Sequence, residues 1–319
     1  MAVSVRFLSL LLGLLALLVG AGCGSTPAAI PSAASSVLQG RDQPSGKLLY
    51  VREGNLWIWQ DGESRPLTSG GTWRQPALSP SGLEIAYVQR QQNFADLFAM
   101  ASDGSSSRRL TSGQAQALGD NDWTMRPAWS PDGVQIAYTS DANSPFPVAW
   151  LMNKDGSAKR QIMIPAMGLD WADAMSWEPG GKRLAVTAMG RDASQIYILD
   201  IARGYAERLT NHPAGAFDPA WSPDGSAIAY IGRDSNRGEL RLERPDGSGD
   251  TRSDKLAYVR SPAWSPDGAT LAVLSAQSGS FDIWIASVRT DGETIELGEP
   301  RQLTRDGGID AASGLSWGP

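Results

Sequence analysis

Pro127-Ala128-Trp129-Ser130-Pro131-Asp132-Gly133 is a heptad that returns unchanged at 219–225 and 262–268. Looser copies stand at 76–82 (Pro-Ala-Leu-Ser-Pro-Ser-Gly) and 175–181 (Met-Ser-Trp-Glu-Pro-Gly-Gly), and Leu315-Ser316-Trp317-Gly318-Pro319 begins another. The proline at the fifth place of each copy, at 80, 131, 179, 223, 266 and 319, sets separations of 51, 48, 44, 43 and 53 residues. Such a period holds four short strands with their turns, and self-similarity on this scale outranks local propensity as evidence of fold.

Period-two alternation divides each unit into four β segments. The Ala-Trp-Ser segment is strand A. Strand B is expected at 85–89, 136–140, 184–188, 228–232 and 271–275, and strand C at 96–100, 148–152, 195–199, 239–243 and 282–286. Strand D closes on Arg108-Arg109-Leu110-Thr111, Gln161-Ile162-Met163, Arg208-Leu209-Thr210 and Gln302-Leu303-Thr304; in the fourth unit it is expected within 252–258. Ser-Pro-Asp-Gly between A and B is a turn: proline presets φ, aspartate caps its own backbone and glycine takes the left-handed position. Asp103, Asp155, Asp246 and Asp291, each followed by glycine, are expected to do the same between C and D.

The two ends of the repeat region are complementary. Leu48–Val51, Asn55–Trp59 and Arg65–Thr68 read as strands B, C and D lacking an A, while 315–319 reads as an A alone. Joining them closes a ring and hides two sheet edges. The fold expected is all-β: a six-bladed β-propeller over residues 47–319.

The pattern Pro-Ala-Trp-Ser-Pro-Asp-Gly-x-x-Ile-Ala-Tyr, followed by Leu-Thr, resembles the WD40-like (PD40) repeat of TolB-like propellers. That repeat is shared by periplasmic TolB and by the propeller of prolyl-oligopeptidase-like peptidases. The resemblance covers 47–319 and implies the fold far more strongly than any one activity, because such folds host many.

The first residues read as an address. Arg6 precedes an apolar run, Phe7–Val19, of signal-peptide length. Val19-Gly20-Ala21-Gly22-Cys23 resembles a lipobox, although Gly20 stands where leucine is usual. The resemblance implies cleavage after 22, lipidation of Cys23, and tethering to a membrane on the periplasmic or outer side. Residues 23–46, rich in Ser, Ala, Pro and Gly, form a linker.

Composition excludes several classes of function. Among 319 residues, 28 Lys and Arg face 34 Asp and Glu, for a net charge of −6, so no overall cationic field draws nucleic acid. One Cys and one His exclude an intramolecular disulfide, a Cys-cluster zinc site and any site of two imidazoles. Gly314-Leu315-Ser316-Trp317-Gly318 fits the G-x-S-x-G nucleophile elbow, but Ser316 occupies the place before the strand A tryptophan and reads as packing. Trp129, Trp177, Trp221, Trp264 and Trp317 likewise read as packing between blades. No catalytic constellation is expected.

The D-to-A connections are different, because repeat packing does not explain their side chains. They gather at the channel mouth and carry Trp73, Arg74, Asp122, Trp123, Arg126, Asp170, Trp171, Asp173, His212, Phe217, Asp218, Arg260 and Asp310. Aromatic and arginine anchors among acidic groups make a binding face. Asp122, Asp173, Asp218 and Asp310 also offer oxygen ligands suited to Ca²⁺, an occupant their spacing does not require. The expected function is an extracytoplasmic, monomeric scaffold engaging an envelope protein, peptide or polysaccharide through this face. The alternative is a propeller enzyme, a lyase or hydrolase acting on a saccharide or peptide.

Overall fold

The computed structural model describes residues 44–163, 167–190, 192–234, 237–291 and 294–319. The signal segment, Cys23 and nearly all of the linker lie outside the described residues, as do Ile164, Pro165 and Ala166 of the connection before Trp171.

Turn chemistry makes each repeat an antiparallel meander. Between A and B, Asp132, Asp224 and Asp267 accept the backbone N–H two residues on and the hydroxyl of the serine two residues before. Gly133, Gly225 and Gly268 then take φ of 69°, 77° and 70°, where a Cβ is strained. Between C and D, Asp103, Asp155 and Asp246 cap the N–H of Ser105, Ser157 and Ser248, and Asp291 caps that of Thr294.

Blade 1 contains β1 (Lys47–Arg52), β2 (Asn55–Gln60) and β3 (Glu63–Pro66). Blade 2 is β4 (Trp73–Leu78), β5 (Glu84–Arg90), β6 (Ala95–Ala101) and β7 (Arg108–Arg109); blade 3 is β8 (Thr124–Trp129), β9 (Gln135–Ser140), β10 (Val148–Asn153) and β11 (Arg160–Gln161). Blade 4 is β12 (Trp171–Trp177), β13 (Arg183–Met189), β14 (Ser194–Asp200) and β15 (Tyr205–Arg208); blade 5 is β16 (Ala216–Trp221), β17 (Ile228–Arg233), β18 (Gly238–Glu243) and β19 (Thr251–Ser253). Blade 6 is β20 (Arg260–Trp264), β21 (Thr270–Ser275), β22 (Asp282–Thr290), β23 (Ile295–Leu297) and β24 (Arg301–Gln302). The last strand, β25 (Ser316–Gly318), returns to blade 1 and pairs with β1, with Leu48 opposite Trp317. The inner strands touch in the order β25, β4, β8, β12, β16, β20 and back to β25, a ring of six.

Two outer strands differ from the sequence reading. In blade 5 the D strand covers only Thr251–Ser253, not the stretch to Tyr258. In blade 6 strand C runs on to Thr290, and its partner is split into β23 and β24. The Leu-Thr ending also lies just beyond strand D. Thr68, Thr111, Thr210 and Thr304 turn inward, and each Oγ1 accepts the N–H of a residue at the start of strand C, respectively Leu56, Leu97, Ile196 and Ile283.

Tryptophans join neighbouring blades. The indole N–H groups of Trp129, Trp177 and Trp264 donate to Ala77 O, Ala128 O and Ala220 O of the preceding blade at 3.0, 3.0 and 2.9 Å. Trp221 departs from this: its indole N–H turns to Gly225 O at 3.3 Å, and the Arg183 guanidinium lies 5.2 Å from its ring. Ser316, the residue of the apparent elbow, accepts the N–H of Leu78 in blade 2 at 2.9 Å, as Ser176 does for Trp221 in blade 5 at 2.8 Å. Both hydroxyls tie blades together.

Candidate functional site: the channel mouth

A backbone irregularity repeated around the ring builds the mouth. The A strands of blades 2 to 6 shift register between Arg74 and Ala77, Met125 and Ala128, Ala172 and Met175, Phe217 and Ala220, and Arg260 and Ala263. In four of them the bulged residue precedes proline at positive φ: Gln75 at 49°, Arg126 at 55°, Asp218 at 53° and Ser261 at 49°. A non-glycine residue held there stores about 1–3 kcal/mol of strain, and a bulge re-aims its side chain. Gln75, Arg126, Asp218 and Ser261 all line the narrow part of the channel, where the free space is about 110 Å³.

The loops behind these residues are anchored from the blades. Asp96, Gln195 and Asp282, each at most 2% exposed, begin strand C and accept the hydroxyl of Thr111, Thr210 and Thr304. The same side chains accept the N–H of Gly113, His212 and Gly307, which fixes where each D-to-A connection sets out.

Charges in the mouth are paired across blades. Arg126 of blade 3 meets Asp173 of blade 4 in a two-pronged contact, Nε to Oδ1 at 2.6 Å and Nη2 to Oδ2 at 3.1 Å, and its backbone N–H donates to Gln75 Oε1 at 2.9 Å. Burial works against the Arg126 cation, yet Asp173, Asp218 and Asp310 outweigh it and hold the guanidinium above its ordinary range. Arg74 lies 3.3 Å from Asp310, and Asp218 Oδ2 accepts the N–H of Ser261 at 3.1 Å. A side cavity of about 400 Å³ opens beside this network, lined in part by Arg74, Arg90, Trp123, Met125 and Asp310. There the Arg90 guanidinium lies 5.4 Å from the Trp123 ring centroid. Asp122, next to Trp123, has its carboxyl pushed up by burial and by Asp141 and Asp96.

The other expected residues take separate positions. Trp73 donates its indole N–H to Ser69 O and packs 4.7 Å from Tyr87. Trp171 opens β12 opposite Met189, and Asp170 is exposed before it. Phe217 lies under Arg233, 4.5 Å from the guanidinium carbon. Arg260 is exposed at the start of β20. Sequence reading missed Gln75, Ser261, Arg90 and Arg233. The first two were signalled by their place before the recurrent proline, and the last two by ending strand B.

His212 lies in the connection from blade 4 to blade 5, with its ring turned onto blade 5 and away from the channel lining. Its Nδ1 is 2.8 Å from Asp234 Oδ1 and its Nε2 is 3.2 Å from the Tyr230 hydroxyl, which donates to Glu243 Oε2 at 3.1 Å. Burial pushes the Glu243 carboxyl up to about 7, helped by Asp250 and Asp246 and opposed by the Tyr230 hydrogen bond and Arg241. A raised carboxyl keeps its proton in the folded state where the unfolded chain has lost it, so stability falls as pH rises from about 4.5 through 7. Glu243→Gln keeps an acceptor for Tyr230 and removes the charge. After allowance for solvent screening, it is expected to gain about 1–2 kcal/mol over the parent at pH 8 and almost nothing at pH 5. Thermal melts at both pH values check this.

The four carboxylates read as a Ca²⁺ donor set do not assemble. Asp173 and Asp310 face arginines, Asp122 sits with Asp141 and Asp96, and no three His, Cys, Asp or Glu side chains among the described residues form a metal-holding group. At the opposite end the channel widens to about 610 Å³, lined by the Ala-Trp-Ser-Pro segments and without a charged side chain.

Residues 114–252 match the family described as the TolB beta propeller domain, PD40. Over 181 residues the chain is 26% identical to Uncharacterized peptidase YuxL of Bacillus subtilis, covering 55% of this chain and 24% of that protein. Over 150 residues it is 27% identical to the Protein TolB homolog of Chlorobium luteolum, covering 47% of this chain and 31% of that one. The chain thus spans between about a quarter and a third of the length of these curated relatives. Among solved structures it is similar to TolB from Acinetobacter baumannii, with TM-score 0.68 and 21% identity over 86% of this chain and 67% of that one. It is also similar to an oligogalacturonate lyase in complex with manganese, with TM-score 0.54 and 16% identity over 82% and 74%. Identities this low speak for the fold alone, which the lyase and TolB share. The repeats, the ring of six blades and the match over 114–252 agree: the chain folds as a six-bladed β-propeller whose residues 114–252 match the TolB beta propeller domain family.

Proposed function

We propose that this propeller is an extracytoplasmic, lipid-anchored binding module that engages a protein or peptide through its channel mouth. The observation that carries the reading is the row of strained bulges, which place Gln75, Arg126, Asp218 and Ser261 in the channel at a cost in backbone energy that no core contact requires. Interblade pairing makes the arrangement rigid, and arginine and aromatic groups stand around it as interface anchors do. The opposite opening offers only uncharged repeat residues. Similarity to proteins named TolB supports binding over chemistry. The enzyme reading has less behind it, since the single histidine is engaged against blade 5.

A photo-crosslinking residue placed at Trp171 or Trp123 in cells tests the face. It is expected to capture a discrete envelope protein, whereas the same residue at Leu83 or Val134, 68% and 53% exposed on the A-to-B turns, captures none. Capture from the turns alone would overturn the reading.

The anchor rests on Val19–Cys23. Cys23→Ser removes the only thiol available for acylation and is expected to move the protein from the membrane to the soluble extracytoplasmic fraction, because two or three acyl chains give stable attachment. Retention in salt-washed membranes would contradict it.

A further inference from the structure

Strand B ends in arginine in three blades, and in each the guanidinium lies on an aromatic ring: Arg52 on Trp57, Arg90 on Trp123 and Arg233 on Phe217. Arg52 has a carboxylate partner, Asp306 at 3.2 Å. Arg90 and Arg233 have none within ion-pair distance among the described residues, and the Nε of Arg233 is buried without a hydrogen-bond partner. Blades 2 and 5, which carry them, face each other across a ring of six.

The Arg233 station is built at a cost. Burial and the neighbouring Arg260 both work against its charge, with only Asp218 in support. The Phe217 floor needs Gly215, which stands at φ 99° and whose place would put a Cβ 2.7 Å from the ring. Two like charges brought together with one unsatisfied N–H are what a site for an anion looks like before the anion arrives.

We propose that the mouth takes an acidic peptide segment, one carboxylate seated on Arg90 and another on the Arg233–Arg260 pair. The proposal rests on the mouth being the working face and adds the chemistry of its ligand. A guanidinium lying flat on a ring presents its N–H edge sideways, the fork that fits a carboxylate. Asp218 lines the channel, with Asp173 on Arg126 and Asp310 on Arg74 beside it, so single charges held apart suit the mouth better than the concentrated double charge of a phosphate.

The probes are amidated Gly-Ser peptides carrying two glutamates at separations from two to ten residues, the same peptides with glutamine, and inorganic phosphate as competitor, all titrated against the full chain. The two-glutamate series is expected to bind at least tenfold more tightly than the glutamine series at its best spacing, and millimolar phosphate is expected not to displace it. Arg90→Gln, Arg233→Gln and the exposed Arg260→Gln are each expected to weaken it about 5- to 30-fold, with melting checked alongside; Arg90→Gln combined with Arg260→Gln should bring it to the glutamine level. Equal binding of both series, displacement by phosphate, or full affinity in the arginine variants overturns the acidic-peptide assignment. Crosslinking from Trp171 then decides the mouth reading separately.

Discussion

Removing Ser316–Pro319 is expected to lower stability by about 4–6 kcal/mol, far more than four residues at a chain end ordinarily contribute. The segment supplies the inner strand of blade 1, pairing Lys47, Leu48 and Leu49 with Gly318, Trp317 and Ser316. Trp317 packs into the apolar cluster that includes Leu48, Tyr50, Ile283 and Ile285, and Ser316 holds Leu78 of blade 2. Without them the edge of β1 opens on the channel, and a loss of this size takes up much of the stability an ordinary domain has. Denaturant melts of the truncated and parent chains measure it. A truncated protein with the parent midpoint would show that the ring does not depend on its composite blade.

Arg126→Met is the second large effect, expected at about 2–3 kcal/mol. The side chain of Arg126 is 20% exposed and that of Asp173 27%, so their two-pronged contact is sheltered and its loss strands a carboxylate near Asp218 and Asp310. Breaking one partner costs more than replacing both. Arg126→Met with Asp173→Leu is expected to recover at least half of the loss in the same melts. A single variant as stable as the parent would mean that the pair does not tie blades 3 and 4 together.

That result bears on what was legible in the sequence. The heptad announced the blades because Pro, Asp and Gly each have a physical task in a tight turn, and Asp224 and Gly225 perform it in the fold. The mouth was legible as a list of loop residues, since Trp123, Arg126 and Asp310 have no task in the repeat. Their pairing was hidden. Register shifts such as that between Met125 and Ala128 are a property of the ladder, and period-two alternation does not reveal which residue steps out of it. Arg90 and Arg233 were passed over for a related reason: they stand one residue beyond the strands expected at 85–89 and 228–232 and outside the D-to-A connections that were read as the mouth. The split outer edge of blade 6 had no signal, because β23 and β24 are both too short for a pattern.

Arg126 is therefore part of the framework as well as the mouth, and a test of the working face should use residues whose loss leaves blade pairing intact. Once the crosslinked partner is identified, titrating it against Trp171→Ala and Asp218→Asn, beside Asp224→Ala and Asp267→Ala, is the most direct test. The mouth variants are expected to weaken binding by about 1–3 kcal/mol each with nearly the parent melting temperature. The turn variants, which lose the caps on Ser226 and Ala269, are expected to melt earlier and bind as the parent does. Lost binding in the turn variants with full affinity in the mouth variants would contradict the account and move the working face to the opposite end of the channel.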